Sequence, residues 1–190
     1  YNSIMLRAKL TIAGSNFIFS HINENYSEYI SKEKKLRVIF RGINVDYYNL
    51  KNISILKQEK LIKEWKLGSN KFTILMPGRL TPWKGQEKFI ESLNILIEDY
   101  NLTNFQAIIL GSDQGRTVYK KKLINLVERY NLNKNVIFIN NCKEMPLAYS
   151  LADVVVSASI EPEAFGRVAV EAQSMEKPII ASNIGGSKET

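Results

Sequence analysis

The chain has 190 residues, 45% of them hydrophobic and 24% charged. This length allows one sizeable domain, or one domain with a fragment of another, and the composition is ordinary for a globular protein. No apolar run approaches the roughly 18 residues that a membrane-spanning helix requires. The single cysteine, Cys142, excludes an internal disulfide, which agrees with a reducing, cytoplasmic setting.

The net charge of +7 is the second compositional feature that bears on function. Such a charge is compatible with nucleic acid or an anionic membrane as a partner. The basic residues are scattered, however, with short clusters only at 32–35 and 120–122. We therefore expect a solvated basic surface and no nucleic acid, with peripheral contact to an anionic membrane left open.

The N-terminal part of the chain has short, mixed elements. Its apolar residues predict a short helix at 5–8, a strand at 17–19, a helix at 24–31 and a strand at 36–40. This order is typical of the last β-α-β piece of a preceding domain.

From residue 71 onward, strands and helices alternate. Apolar runs predict the strands, and apolar residues at helical spacing, such as Leu123, Ile124 and Val127, predict the helices. This alternation predicts an α/β fold with a doubly wound, Rossmann-like parallel sheet. The predicted strands are 71–76, 105–110, 136–139, 153–157 and 177–182, and the predicted helices are 86–100, 117–130 and 143–151.

Two carboxylates, Glu163 and Glu171, mark the most informative stretch of the sequence. They lie eight positions apart, with Phe165 and Gly166 between them, directly after the predicted strand 153–157. Glu163 is therefore expected just outside the carboxyl end of a parallel strand, where open α/β sheets bind ligands. Glu171 is expected within the helix that follows.

The spacing limits what these two carboxylates can do together. Eight helical residues would span about 12 Å, more than the roughly 5 to 9.5 Å between the two carboxyl groups of a glycosidase. The two groups are better placed to hold opposite ends of one long ligand. The helix N-terminus between them offers N–H groups and a positive dipole end for phosphate. A nucleotide sugar, with a polyhydroxyl group, phosphates and a ribose, fits this pattern.

Further segments accompany the stretch from Glu163 to Glu171. Gly185-Gly186-Ser187-Lys188-Glu189-Thr190 follows it, while a Gly-Arg…Lys-Gly loop at 77–85, a strand-to-glycine turn at 109–111 and a linker-like segment at 38–46 precede it. Taken in this order, the segments resemble the retaining glycosyltransferases of family 4, which have the GT-B fold. The resemblance covers nearly the whole chain.

The resemblance implies one half of a GT-B enzyme. Residues 46–190 would form the nucleotide-sugar (donor) domain, truncated at its C-terminus. Residues 1–45 would be a remnant of the acceptor domain, a partial βαβ stub, together with the interdomain linker. We therefore expect a truncated enzyme that is inactive alone.

The resemblance also implies catalytic roles for three residues. Arg79 and Lys84 would stabilise the charge of the leaving nucleoside diphosphate, Arg79 by bidentate hydrogen bonds and Lys84 as a point charge. Because these cations fill that role, no metal ion would be required. Glu163 would accept hydrogen bonds from the hydroxyls of the donor sugar.

Three donor-binding residues are expected near Glu163 in the sequence. Glu171 would accept hydrogen bonds from the ribose hydroxyls, a common use of a carboxylate in nucleotide sites. Phe165 and Gly166 would present their N–H groups to the sugar or to the distal phosphate.

The remaining expected donor-binding residues lie earlier in the chain. Backbone groups at Asn141 and Cys142 would contact the base. Gly78 and Gly111 would let the backbone approach the nucleotide closely, since glycine has no side chain.

The sequence gives little indication of other chemistry. His21 is the only histidine, and we expect it to be structural or on the surface. No Cys/His cluster has metal-ligand spacing, so no metal and no cofactor are expected beyond the nucleotide-sugar donor, which would be UDP- or GDP-linked.

By resemblance, the parent protein would transfer a sugar from a nucleotide sugar to an acceptor hydroxyl with retention. The acceptor would be a glycan or a lipid-linked saccharide, in bacterial cell-surface polysaccharide or lipopolysaccharide biosynthesis, at the inner face of the membrane. Two alternatives stay open. The chain could be an inactive nucleotide-binding or interaction fragment that self-associates through its N-terminal stub, or it could be a nucleotide-sugar epimerase of the same architecture.

Overall fold

The computed structural model describes residues 6–30 and 35–190. The chain divides into two compact units. The first unit contains the N-terminal segment up to Ile43 together with 161–167 and 183–190, and the second contains 44–160 and 168–182. The first unit therefore combines an N-terminal segment with two short pieces from much later in the chain.

A small parallel βαβ element forms the N-terminal segment of the first unit. Strands β1 (Leu10–Ala13) and β2 (Lys35–Val38) pair in parallel, and helix α1 (Asn16–Tyr26) connects them. A 3-10 turn at Ser27–Tyr29 follows α1. The predicted β-α-β order is confirmed.

The predicted strand at 17–19 is wrong, because these residues lie in α1 and the strand is at 10–13 instead. A run of three apolar residues is compatible with either a helix or a strand. Ser15 decides between them, since it is extended and its Oγ accepts a hydrogen bond from the Ile18 N–H, as an N-cap residue does. The predicted helix end at Ser31 and the predicted helix residue Met5 lie outside the described residues.

A parallel sheet of five strands forms the centre of the second unit, in the order β5-β4-β3-β6-β7. This confirms the predicted α/β fold with a doubly wound parallel sheet. The strands are β3 (Phe72–Pro77), β4 (Phe105–Leu110), β5 (Val136–Ile139), β6 (Val154–Ser157) and β7 (Ile179–Ala181).

Helices connect consecutive strands of this sheet, as parallel pairing requires, and one further helix precedes β3. The helices are α2 (Ile55–Glu64), α3 (Gln86–Glu98), α4 (Thr117–Arg129), α5 (Met145–Ser150) and α6 (Arg167–Ser174). The sequence patterns missed α2, which begins after the N-cap Ser54. The other four helices lie where the sequence predicted them.

Both faces of the sheet are buried. Ile74 and Met76 of β3 belong to a core cluster that includes Phe89 of α3 and Leu123 of α4. Leu75, which points to the opposite face of the sheet, is fully buried as well. Burial on both faces explains why the strands read as continuous apolar runs rather than as alternating ones.

The buried face of α4 differs by one residue from the prediction. Tyr119, Leu123 and Val127 are buried at four-residue spacing, whereas Ile124 is 36% exposed. The sequence pattern assigns Ile124 to the buried face of α4 because Ile124 is apolar. Helical geometry places it about 100° around the axis from Leu123 and therefore outside that stripe.

The order of the strands creates a switch point between β3 and β6. From β3 the chain continues through β4 to β5 on one side, and β6 and β7 lie on the other side. Ligands bind outside the carboxyl ends of the strands at such a point. The loops after β3 and β6 meet here, where the Ile160 N–H donates to the Trp83 carbonyl at 2.9 Å.

None of the helices in the described ranges is both long and apolar enough to cross a membrane.

We expect Leu123→Ala to lower the free energy of unfolding by about 2–5 kcal/mol, because it removes a fully buried side chain and leaves a cavity. Ile124→Ala is the matched control, since it removes a similar side chain from the next position, which is partly exposed. It should cost less than about 1 kcal/mol. Urea unfolding of both variants measures the difference, and equal losses would contradict the described face of α4.

Candidate active site

The loop that follows β3 is held by backbone hydrogen bonds to the chain that follows β4. The Gly78 N–H donates to the Leu110 carbonyl at 2.8 Å, and the Leu80 N–H donates to the Ser112 carbonyl at 3.0 Å. This loop carries Arg79, and its end carries Lys84. The two predicted cations are therefore presented at the carboxyl edge of the sheet.

Close backbone contacts between loops explain two of the glycines. A Cβ at Gly111 would lie 1.9 Å from the Gly78 carbonyl oxygen, and a Cβ at Gly85 would lie 1.9 Å from the Ala158 carbonyl oxygen. Gly85 also has φ +75°, which disfavours other residues. Gly111 therefore lets two neighbouring loops approach each other, and its approach to the nucleotide stays a prediction.

Arg79 and Lys84 have different surroundings. Arg79 is exposed, whereas Lys84 is half-buried, with its ammonium 4.3 Å from the centre of the Trp83 ring. This cation–π contact restrains the Lys84 side chain. The side-chain carbons of Lys84 also pass the open face of Gly78, where a Cβ would meet them at 3.8 Å.

A buried amide, Gln86, fixes the shape of this loop. Its side-chain amide donates to the Arg79 carbonyl at 2.8 Å and accepts from the Tyr119 hydroxyl at 3.2 Å. Burial, with a smaller effect of the Glu87 carboxylate, raises the pKa of Tyr119 to about 12. The hydroxyl therefore stays protonated and remains a donor near neutral pH.

Sequence reasoning did not single out Gln86, although a signal was present. Gln86 precedes Phe89, Ile90 and Leu93 at the spacing of one helix face, and all four residues are buried. A polar residue in an apolar helical stripe predicts a buried hydrogen-bonding group.

The turn after β5 carries Asn141 and Cys142. Asn141 is exposed and Cys142 is half-buried, with its thiol donating to the Glu144 carbonyl at 3.3 Å. Burial raises the pKa of the Cys142 thiol above its usual value. The thiol is therefore protonated near neutral pH and unreactive compared with an exposed cysteine.

Glu171 lies in α6 and is buried, with 6% of its surface exposed. One of its carboxylate oxygens accepts a hydrogen bond from the Tyr149 hydroxyl at 2.8 Å. Tyr149 is itself fully buried, and the Tyr48 ring contacts it edge-on at 6.0 Å between centroids. The Ser174 hydroxyl in turn donates to the Tyr48 carbonyl at 2.6 Å. Packing of this kind orients the carboxylate.

The loop 161–166 belongs to the first unit. The backbone of Glu163 pairs with Gly185 in a parallel bridge, and the Gly186 N–H donates to the Glu163 carbonyl at 2.7 Å. Phe165 and Gly166 are buried, and Gly166 has φ +90°, which favours glycine. A shaped loop thus precedes the start of α6 at Arg167.

The predicted site residues fall into two groups. Glu163, Phe165 and Gly166 belong to the first unit. The others belong to the second unit, where the loops after β3, β4 and β5 and helix α6 carry them; they are Gly78, Arg79, Lys84, Gly111, Asn141, Cys142 and Glu171.

His21, the single histidine of the chain, has local contacts within α1. His21 is exposed on α1, and its Nδ1 lies 3.3 Å from the Asn25 side-chain amide. Such local contacts are those of a surface histidine. Within residues 6–30 and 35–190, no group of three His, Cys, Asp or Glu side chains could hold a metal ion.

Sequence comparison identifies the family. The sequence model of the family described as "Glycosyl transferases group 1" matches residues 57–190. The chain belongs to the group 1 glycosyltransferases. Among curated relatives of this family, the glycosyltransferase MJ1607 of Methanocaldococcus jannaschii is 32% identical over 161 residues, which are 83% of this chain and 38% of the relative.

Solved glycosyltransferase structures have the same fold. A glycosyltransferase from Rickettsia africae matches all of this chain with a TM-score of 0.87 and 38% identity, over 48% of its own length. Anabaena HepE in complex with UDP-glucose matches all of this chain with a TM-score of 0.82 and 28% identity, over 51% of its own length. The fold is that of GT-B glycosyltransferases, and the chain spans about half the length of these two structures.

We expect Tyr149→Phe to lower the free energy of unfolding by about 1.5–3 kcal/mol, because it removes a buried hydrogen bond to the Glu171 carboxylate. Tyr100→Phe is the control, since Tyr100 is 67% exposed. It should change stability by less than about 0.5 kcal/mol. If denaturant unfolding gave the same stability for both variants, the Tyr149–Glu171 contact would have no energetic importance.

Proposed function

We propose that this group 1 glycosyltransferase chain binds the nucleotide-sugar donor of an enzyme that transfers a sugar to an acceptor hydroxyl. The observation that carries the proposal is the loop after β3, which presents Arg79 and Lys84 at the switch point of the sheet. Two cations at this position suit a diphosphate. The named complexes of Anabaena HepE with UDP and with UDP-glucose support the same ligand class.

Arg79 and Lys84 neutralise the charge that develops on the leaving diphosphate. Lys84 is restrained by the Trp83 ring, and the Arg79 backbone is restrained by Gln86. Cations fixed before the reaction stabilise developing charge without the cost of rearrangement. Helix α3 begins beside them after Gly85, and its first N–H groups add a positive dipole end. No metal ion is needed for this role.

Glu171 accepts hydrogen bonds from the ribose hydroxyls of the donor. Its carboxylate is oriented by the Tyr149 hydroxyl inside the core. Binding to ribose therefore requires little further ordering of the side chain, which favours affinity. Backbone groups of Asn141 and Cys142 contact the base.

The loop 161–166 recognises the donor sugar. Glu163 accepts hydrogen bonds from the sugar hydroxyls, and Phe165 and Gly166 present N–H groups to the sugar or the distal phosphate. The sugar is transferred to the acceptor hydroxyl with its anomeric configuration retained, because the acceptor reacts on the face from which the nucleoside diphosphate departs. The donor is UDP- or GDP-linked.

The acceptor is a glycan or a lipid-linked saccharide of a bacterial cell surface, in polysaccharide or lipopolysaccharide biosynthesis. The enzyme works in the cytoplasm or against the inner face of the membrane. This chain carries the donor-binding part, and we propose that it binds nucleotide without transferring sugar by itself.

We expect one member of a panel of UDP, GDP, ADP and CMP to raise the free energy of unfolding by about 2.7 kcal/mol at 100 times its dissociation constant. Lys84→Ala and Glu171→Gln should each weaken that nucleotide about 10- to 100-fold, the effect of losing a charge-assisted hydrogen bond. Calorimetric titration measures the affinity, and thermal unfolding in parallel shows that each variant is folded.

Lys88→Ala is the control for Lys84→Ala, since Lys88 is exposed and pairs with Glu91 on the outer side of α3. It should leave the affinity unchanged. Unchanged affinity in Lys84→Ala and Glu171→Gln would refute the site. If no nucleotide bound and sedimentation showed self-association, the interaction-fragment alternative would replace the proposal. In a separate incubation of the chain with UDP-glucose, formation of the epimeric nucleotide sugar would favour the epimerase alternative.

We expect the nucleotide that binds to slow the alkylation of Cys142 by iodoacetamide at least about threefold, because the base covers the turn after β5. The reaction is run near pH 9, since the raised thiol pKa makes the thiolate scarce at neutral pH. Mass spectrometry follows the only cysteine of the chain. Inorganic diphosphate is the control ligand, because it lacks a base. Equal protection by both ligands would contradict the assignment of the base.

A further inference from the structure

A hydrogen-bonded contact joins the loop 161–166 to the start of α1 within the first unit. Ser15 is fully buried at this point, and its hydroxyl donates to the Ala164 carbonyl at 2.6 Å. The same oxygen accepts from the Ile18 N–H at 3.2 Å, which caps the helix. The Ser15 side chain therefore has two roles, since it caps the N-terminus of α1 and binds the loop 161–166.

Glu189 makes a second connection to the same helix end. Its carboxylate accepts from the Asn16 N–H at 2.8 Å and from the Phe17 N–H at 2.7 Å, with a further contact to the Asn16 side-chain amide at 3.0 Å. Backbone N–H groups in the first turn of a helix lack partners within the helix. A carboxylate at this position also interacts favourably with the helix dipole.

The 3-10 turn that carries Glu189 is packed directly against the loop. The turn spans Gly186–Glu189. A Cβ at Gly186 would lie 2.5 Å from the Ala164 carbonyl oxygen, and a Cβ at Gly166 would lie 3.1 Å from the Ser187 Cα. Backbone contacts this close leave the loop and the turn little freedom to move separately. A shift of Glu189 at one end would therefore be transmitted to the loop.

We propose that Ser15 and Glu189 are positioning residues for the loop that carries Glu163, Phe165 and Gly166. Recognition of the donor sugar then depends indirectly on the N-terminal helix α1, because α1 holds the loop. No side chain of α1 needs to contact the donor. This inference rests on the proposed function, because it takes the loop 161–166 to be the part that meets the sugar.

The contact also accounts for a feature of the chain. Asn16 and Glu189 are 173 positions apart, yet they belong to one compact unit. The hydrogen bonds of Ser15 and Glu189 connect the N-terminal helix to the later pieces of that unit. Sequence changes in α1 can therefore alter donor recognition at a distance.

The test compares affinities for UMP, which lacks the distal phosphate and the sugar, and for UDP-glucose, measured by calorimetry on the whole chain. Ser15→Ala and Glu189→Ala should each weaken UDP-glucose about three- to tenfold, the effect of one to two hydrogen bonds. Binding of UMP should stay within about twofold of the unchanged chain, because the groups proposed for the base, the ribose and the first phosphate lie outside the loop 161–166. The affinity of Glu189→Gln for UDP-glucose should lie between that of Glu189→Ala and that of the unchanged chain, because the amide oxygen of glutamine keeps one acceptor.

Two controls separate positioning from general damage. Ser54→Ala removes the N-cap serine of α2, whose hydroxyl accepts from the Lys57 N–H. Lys188→Ala changes the exposed neighbour of Glu189 in the same turn. Neither should change the affinity for UDP-glucose. A parallel loss of UMP and UDP-glucose binding in Ser15→Ala and Glu189→Ala, or no loss at all, would overturn the positioning role.

Hydrogen exchange of the unliganded chain makes the inference independent of the choice of sugar. The backbone amides of 163–166 should exchange faster in Ser15→Ala and Glu189→Ala than in the unchanged chain. Their exchange rates should stay the same in the controls Ser54→Ala and Lys188→Ala. If exchange is unaltered, the positioning role is refuted even where donor binding is intact. If exchange responds as expected but neither UMP nor UDP-glucose binds the unchanged chain, a UDP-linked donor is refuted and the loop contact stands.

Discussion

The close approach of backbone to backbone at the edge of the parallel sheet is the constraint on which the rest of the second unit depends. At Gly85 and Gly111, a single added carbon would lie 1.9 Å from a carbonyl oxygen of a neighbouring loop. No rearrangement of a side chain could relieve such a clash, because the obstacle is backbone. The conformations of the loops after β3, β4 and β6 therefore depend on one another. The resulting arrangement presents Arg79 and Lys84 at the switch point.

Buried polar contacts then fix the backbone of the loop after β3 and the side chain of Glu171 in α6. Gln86 holds the Arg79 carbonyl, and Tyr149 holds the Glu171 carboxylate. Each contact lies in a well-packed region, where a hydrogen bond left unmade would be costly. The groups that we assign to diphosphate and ribose are thus backed by tyrosines, Tyr119 and Tyr149, that take no part in binding themselves. A site ordered before the ligand arrives loses less conformational entropy on binding.

The first unit uses a different means to shape its loop. There, hydrogen bonds of Ser15 and Glu189 hold the start of α1 against the loop 161–166 and the turn 186–189. Close backbone contacts at Gly166 and Gly186 hold the loop and the turn together. The unpaired N–H groups of a helix are satisfied by a carboxylate from far along the chain. In our proposal, helix α1 thereby influences the loop that recognises the donor sugar.

The sequence by itself determined the parallel α/β sheet, the helices α3 to α6, and the family, because continuous apolar strands, helical spacing and short glycine-containing motifs are local patterns. It misplaced the first strand and Ile124, and it missed α2, because short apolar runs do not distinguish helix from strand or one helix face from the next. Only the tertiary structure decided that Gly85 and Gly111 accommodate neighbouring loops, that Glu171 is held by Tyr149, and that Glu189 caps α1. These contacts join residues distant in sequence, and a local pattern carries no information about a partner 173 positions away.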